Sequence, residues 1–313
     1  MADPPLILPA AAGRPGLSPN LRGALWMIAS AVTFTAMTTL IKFLGADYPA
    51  PLQAFYRNAA GLAVLAPWIL RHPVRAFATT RPGILIFRAA AGTLGLILQF
   101  YAFQKMPLAE ANALSFTRAL WLVPLAAFML RETIGVHRLG AALFGFAGVL
   151  LMLYTPGHGG GFGIGVPQLC MLASSLLFAF TVTGMKALTR DHPPSTVLYW
   201  SAALGLVFAL PFALFSWRWP TPRDLLLLSL MGVIATINQA CYIKGMQAAD
   251  AAAMAPLDYT RLIFAAAVGY FLFHEVPGGL TLLGAAVVIA STLYITWREH
   301  RLVMRDRALA GIE

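Results

Sequence analysis

Residues 28–70 of this chain, slid forward by 144 positions, lie on residues 172–214 without a gap. Ala29/Ala173, Ser30/Ser174, Phe34/Phe178, Thr39/Thr183, Lys42/Lys186, Asp47/Asp191, Pro49/Pro193, Gly61/Gly205 and Pro67/Pro211 coincide. Matching Ala means little in so apolar a chain; matching Lys, Asp and two Pro mark a duplication. The later part of each copy repeats at an offset of 143, pairing Gln104/Gln247, Ala109/Ala252, Thr117/Thr260, Arg118/Arg261, Glu132/Glu275 and Gly135/Gly278. A Thr-Arg pair followed fourteen residues on by Glu therefore occurs twice. A duplicated unit constrains topology more than any local motif can.

The chain is 313 residues long, 59% hydrophobic and only 11% charged. Soluble domains carry about 25% charged residues, so this is a polytopic membrane protein. Its apolar runs are continuous rather than alternating, which selects helices over a barrel. With roughly 20 residues needed per crossing, ten spans are expected: 23–45, 51–70, 84–103, 108–130, 136–154, 164–188, 194–216, 225–247, 251–273 and 278–297. The fold class is thus all-α, in two five-helix repeats, 22–155 and 164–297. They are joined by a glycine-rich connector, 156–163, and flanked by a disordered tail, 1–21, and a basic tail, 298–313. Five is odd, so the second copy enters the membrane upside down relative to the first. Inverted repeats of this kind surround a central cavity in alternating-access carriers.

The net charge of +10 reads as orientation rather than nucleic-acid binding. Fourteen Lys and Arg, among them Arg22, Arg71, Arg81, Arg190 and Arg298, fall on the side shared by both termini. Only Lys42, Lys105, Arg218 and Arg223 fall on the other. The positive-inside rule then puts both termini in the cytoplasm. Cys170 and Cys241 both lie within spans and form no spaced cluster, so no disulfide framework or metal site is expected. The six histidines all lie in loops, at span ends or in the tail, and no catalytic motif is present.

Charges deep in an apolar run carry the chemistry. A charge near the bilayer centre costs about 2.5–3.5 kcal/mol. Arg118 and Arg261 sit near the middle of spans 4 and 9, each roughly ten residues, or about 15 Å, from either end. Neither can snorkel, so both should face the interior or a wet cavity. Asp258, three residues before Arg261, is expected to pair with it on one helical face, as helix glue, as a substrate or proton site, or as part of a gate. Arg118 has no such acid; its face carries Ser115 and Asn112. A buried guanidinium without an acid wants a carboxylate, from the protein or from a ligand. Asn238 and Tyr242 of span 8 are further candidates for the cavity wall, as are stripes Thr35–Thr38–Lys42 and Ser174–Phe178–Thr181. Glu132 and Glu275 are expected to be solvated helix-end acids that cap the following helix or pair with Arg131 or Arg138, Glu110 a dipole partner at a helix start, and Arg57 to snorkel or pair with Asp47.

Arg22 to Gly45, Phe55-Tyr56-Arg57-Asn58 and the stretch Pro107–Leu114 resemble the EamA-type drug/metabolite transporters. The resemblance implies a bacterial inner-membrane permease for a small organic metabolite, with a helical basket around the cavity and no cofactor. The expected binding residues are Asn112, Ser115, Arg118, Asn238, Tyr242, Asp258 and Arg261; catalytic and metal residues are none. The expected partners are a small-molecule substrate and the lipid bilayer; pairing into a homodimer is left open. The alternative is a membrane-embedded enzyme or accessory subunit.

Overall fold

The computed structural model describes residues 19–71, 82–130, 136–154, 164–188, 194–248 and 251–309. The glycine-rich connector, Glu132, and most of the amino-terminal tail lie outside them. Twelve helices account for nearly all of the described chain: α1 Pro19–Leu44, α2 Ala50–Arg71, α3 Pro82–Lys105, α4 Leu108–Ser115, α5 Thr117–Leu130, α6 Val136–Leu153, α7 Val166–Leu188, α8 Pro194–Leu214, α9 Pro222–Ala248, α10 Ala251–Asp258, α11 Thr260–Phe273 and α12 Gly279–Leu309. Pro opens α1, α3, α8 and α9, the position where its fixed φ and missing N–H cost nothing. Four helices are long and apolar enough to cross a bilayer: Asn20–Leu44, Pro82–Lys105, Pro222–Ala248 and Gly279–Arg298. Two expectations are corrected. The stretches 108–130 and 251–273 are not single helices; each is interrupted by one residue, Phe116 and Tyr259. The last apolar span, Gly279–Arg298, ends where expected, and its helix continues through the basic tail to Leu309, where Arg and Glu are good helix formers.

The packing inverts the pattern of a soluble protein. Ser30, Thr35, Thr38, Gln53, Thr93, Ser174 and Ser175 are buried, whereas Leu226, Ile263 and Phe271 are about as exposed as surface lysines would be. Small polar residues let helices approach and hydrogen-bond inside a bilayer, and a large apolar exterior is tolerated only by lipid.

The packing pairs reveal the symmetry. α1 lies along α9 and α3 along α7, which are the same pair in the two copies. α2 packs on α8 and α6 on α12, so each of these helices meets its own equivalent. In the last pair Gly145 faces Ser291 while Gly148 faces Gly284, so the two helices run antiparallel. An upright repeat would bring equivalent helices together in parallel; this one is inverted.

Gly148 and Gly284 set the spacing of that pair. A Cβ on Gly148 would sit 2.8 Å from the Gly284 carbonyl oxygen, and a Cβ on Gly284 would collide with the Gly148 carbonyl. Backbone cannot swing aside as a side chain does. Gly148→Leu is expected to destabilise the protein by about 3 kcal/mol through overpacking, read as a lowered melting temperature in detergent. An unchanged melt would show that α6 and α12 do not need this contact.

The two ends of the bundle are packed differently. Residues 45–49 join α1 to α2 at one end; Pro19 and Leu309, the first and last described residues, lie toward the other, here called the terminal end. Among the side chains described, Ile41, Leu52, Phe100, Phe103, Met106, Leu108, Met171 and Leu228 are fully buried toward the 45–49 end. There α4 packs on α11. The symmetry-equivalent pair at the terminal end, α5 and α10, has no comparable contact among the described residues.

Candidate functional site

The two helix breaks are the same structure twice. At the first, the Phe116 amide donates to the Ala113 carbonyl at 3.1 Å; at the second, the Tyr259 amide donates to Pro256 at 3.3 Å. Both are i to i−3 bonds that tighten the turn and free the neighbouring carbonyls. The hydroxyl of Thr117 bonds the Leu114 carbonyl at 2.7 Å, and that of Thr260 bonds Leu257 at 2.6 Å. Each break is followed by a threonine and then its arginine, so Arg118 and Arg261 both lie in the first turn of a new helix. The partly positive ends of α5 and α11 add to these charges.

Arg261 is 7% exposed. Its Nη2 donates to Ser115 Oγ at 3.1 Å. Its guanidinium lies between two rings, 4.8 Å from the centre of Phe34 and 4.2 Å from that of Phe116. Desolvated cation–π contacts contribute about 2 kcal/mol, which helps offset burial of the charge. Its Nε is buried without a hydrogen-bond partner.

Asp258, Arg118 and Arg261 all act electrostatically on Tyr242 and on Tyr259, so the helices bring these five residues to one place. Four of them, Arg118, Asp258, Tyr242 and Tyr259, remain partly exposed. The Asp258–Arg261 ion pair expected from their spacing is not formed, for no salt bridge joins them. The tightened turn at Tyr259 sits between the two residues and spoils the helical register, and Phe34, Phe116 and Ser115 hold the guanidinium elsewhere. Arg118 makes no hydrogen bond or ion pair among the described residues. The site thus holds two guanidinium groups and one carboxylate with no direct contact between opposite charges.

The remaining expected residues divide. Asn112 is fully buried; its Nδ2 donates to the Leu108 carbonyl at 2.8 Å and its Oδ1 has no partner. Ser115 bonds the Asn112 carbonyl as well as Arg261. Asn238 ties α9 to α1, with Nδ2 donating to the Ser30 carbonyl at 2.7 Å and to its hydroxyl at 3.0 Å. Thr35 and Thr38 bond carbonyls of their own helix, and Ser174 crosses to the Gly95 carbonyl.

Glu275 corrects its expectation. Its carboxylate pairs with Lys42 of the first copy and accepts the Leu108 amide at 2.8 Å, capping the start of α4. Lys42 also donates to the Met106 carbonyl at 2.6 Å and lies 5.3 Å from the centre of the Phe273 ring. His274 takes the left-handed conformation at φ 54°, and the Glu275 amide reaches back to Gly269 at 2.9 Å. That ending turns the Glu275 side chain over the end of α11, where Gly269 leaves room for it. Glu110 sits in the first turn of α4 as expected, and takes a 3.3 Å hydrogen bond from Gln168. Arg57 bonds Asn58 at 3.2 Å and makes no ion pair with Asp47.

The model of the EamA-like transporter family matches residues 21–154 and again 166–297. The chain therefore belongs to the EamA-like transporter family. It is 29% identical over 91% of its length to an S-adenosylmethionine uptake transporter of Rickettsia prowazekii, covering 96% of that protein. It is 28% identical over 89% of its length to a riboflavin transporter of Rhizobium johnstonii, covering 92% of it. Over 88% of its length it is 24% identical to the pseudopaline exporter CntI of Pseudomonas aeruginosa, covering 95% of that chain. A crystal structure of a protein superposes with TM-score 0.61 and 20% identity, covering 90% of this chain and 98% of that one; it supports the fold.

Proposed function

We propose that this chain is a ten-span secondary carrier of the bacterial inner membrane, with both termini in the cytoplasm. It moves an anionic or zwitterionic small metabolite by alternating access. The observation that carries this reading is the pair of broken helices. Each delivers one arginine to the same place midway along its path, and broken helices in inverted repeats mark midplane sites. Two guanidinium groups against one carboxylate leave the site with a formal charge of +1, which a ligand carboxylate neutralises. Asp258 suits the amine of a zwitterion, and the partly exposed Tyr259 ring suits a planar group.

The named relatives support a small-metabolite cargo and include both uptake and export, so they favour no direction. S-adenosylmethionine has the carboxylate and amine of a zwitterion and a planar base, with a sulfonium as an added positive charge, and is tested beside the amino acids, which lack that charge. Purified protein in liposomes loaded with unlabelled S-adenosylmethionine, riboflavin or a mixture of amino acids is exposed to the labelled compound. Saturable counterflow of at least one carboxylate-bearing compound is expected. Flux that rises linearly with concentration and shows no counterflow would instead describe a channel.

A further inference from the structure

The repeat that relates Arg118 to Arg261 also relates Ser115 to Asp258, both at an offset of 143. The contact between Arg261 and Ser115 therefore has one symmetry equivalent, a contact between Arg118 and Asp258. The first is formed, at 3.1 Å. The second is not. Their helices differ in the same sense: α4 is packed on α11 at the 45–49 end, and α5 is not comparably packed on α10 at the terminal end.

We propose that Arg118 and Asp258 form the other half of a reciprocal clamp, closing on each other when the terminal end shuts while Arg261 lets go of Ser115. In an inverted repeat, the two end states exchange the conformations of the two copies, so each contact made in one state is replaced by its equivalent in the other. The two halves of the clamp are unequal. Ser115 offers Arg261 a neutral hydroxyl; Asp258 offers Arg118 a full opposite charge. The terminal-end clamp is the stronger contact, and it helps offset the α4–α11 packing given up when the 45–49 end opens. A carboxylate bound to Arg118 competes directly with Asp258. Cargo with an anionic group therefore holds the terminal end open until that group is exchanged for the Asp258 side chain. This gives Asp258 a role distinct from proton carriage: it is the group that replaces the cargo.

This inference rests on the carrier reading, and its test needs no cargo. Spin-label pairs are placed across each end in lipid nanodiscs, with Cys170 and Cys241 replaced. Lys105→Cys with Val276→Cys spans the 45–49 end; Val136→Cys with Gln247→Cys spans the terminal end. All four positions are exposed. Asp258→Asn is expected to lower the population closed at the terminal end by about tenfold, as loss of a charged hydrogen bond implies. Ser115→Ala is expected to raise that population, by a smaller factor. Arg118→Asp alone should act like Asp258→Asn, and the exchanged pair Arg118→Asp with Asp258→Arg should recover the parent distribution. Asp258→Ser, which makes the second copy like the first at this position, keeps the test available if a charge reversal does not fold. Unchanged distances in Asp258→Asn would overturn the clamp, as would shifts in the same direction for Asp258→Asn and Ser115→Ala. Intact counterflow with unchanged distances removes the clamp and leaves carriage standing; the reverse result removes carriage alone.

Discussion

Arg118→Ala reduces counterflow by roughly a hundredfold, the loss expected when a charge-assisted contact worth about 3 kcal/mol is removed. The protein still inserts and folds. Arg118 makes no hydrogen bond or ion pair among the described residues, so its truncation orphans nothing in the resting structure, and removing a charge from mid-span lowers the insertion cost. Arg118→Lys recovers little, because a lysine keeps the charge but not the planar fork that grips a carboxylate at two points. Counterflow and melting temperature measured on one preparation separate the two effects. Normal transport by Arg118→Ala would take this guanidinium out of the cargo site.

The second large effect is on stability. Glu275 serves two masters across the copies: the Lys42 ammonium of α1 and the Leu108 amide of α4. The Lys42 and Glu275 side chains are each 15% exposed, so water screens the pair only partly. Glu275→Ala leaves Lys42 with a carbonyl and a ring, and α4 without its cap. Breaking a buried pair from one side costs about 3–5 kcal/mol, and the melting temperature should fall by roughly 5 °C or more for a chain of this size. Lys42→Ala should cost less, since the carboxylate keeps its amide donor. Equal melts for Glu275→Ala and the parent would mean that this contact does not hold the 45–49 end shut.

The duplication and the helical class were legible because their signals are expensive. An arginine in the middle of an apolar run is rare, and two at one offset, each after a threonine, are no accident of composition. The breaks were not legible. Phe116 and Tyr259 are neither Gly nor Pro, and Pro256 has no counterpart at Ala113, so both stretches read as continuous helices. In hindsight the recurrence of aromatic-Thr-Arg was the available clue. The expected Asp258–Arg261 pair failed for the same reason: i to i+3 spacing places side chains together only on an unbroken helix. The role of Glu275 is not legible locally because its partners are distant in sequence, Lys42 by 233 residues and Leu108 by 167. Nothing local announces them, although Gly269, six residues before Glu275, has the spacing of a helix that ends by folding back.

Positions 136 and 279 are equivalent in the two copies and exposed at the starts of α6 and α12. Single cysteines at Val136 and Gly279, in whole cells and in inverted vesicles, can be labelled with a maleimide that does not cross membranes. Two oppositely oriented copies require label to reach positions 279 and 136 from opposite sides, and the proposed cytoplasmic termini put position 279 outside. Label reaching both from the same side would mean that the copies are not inverted, and the facing arginines would lose the symmetry that makes them a shared site.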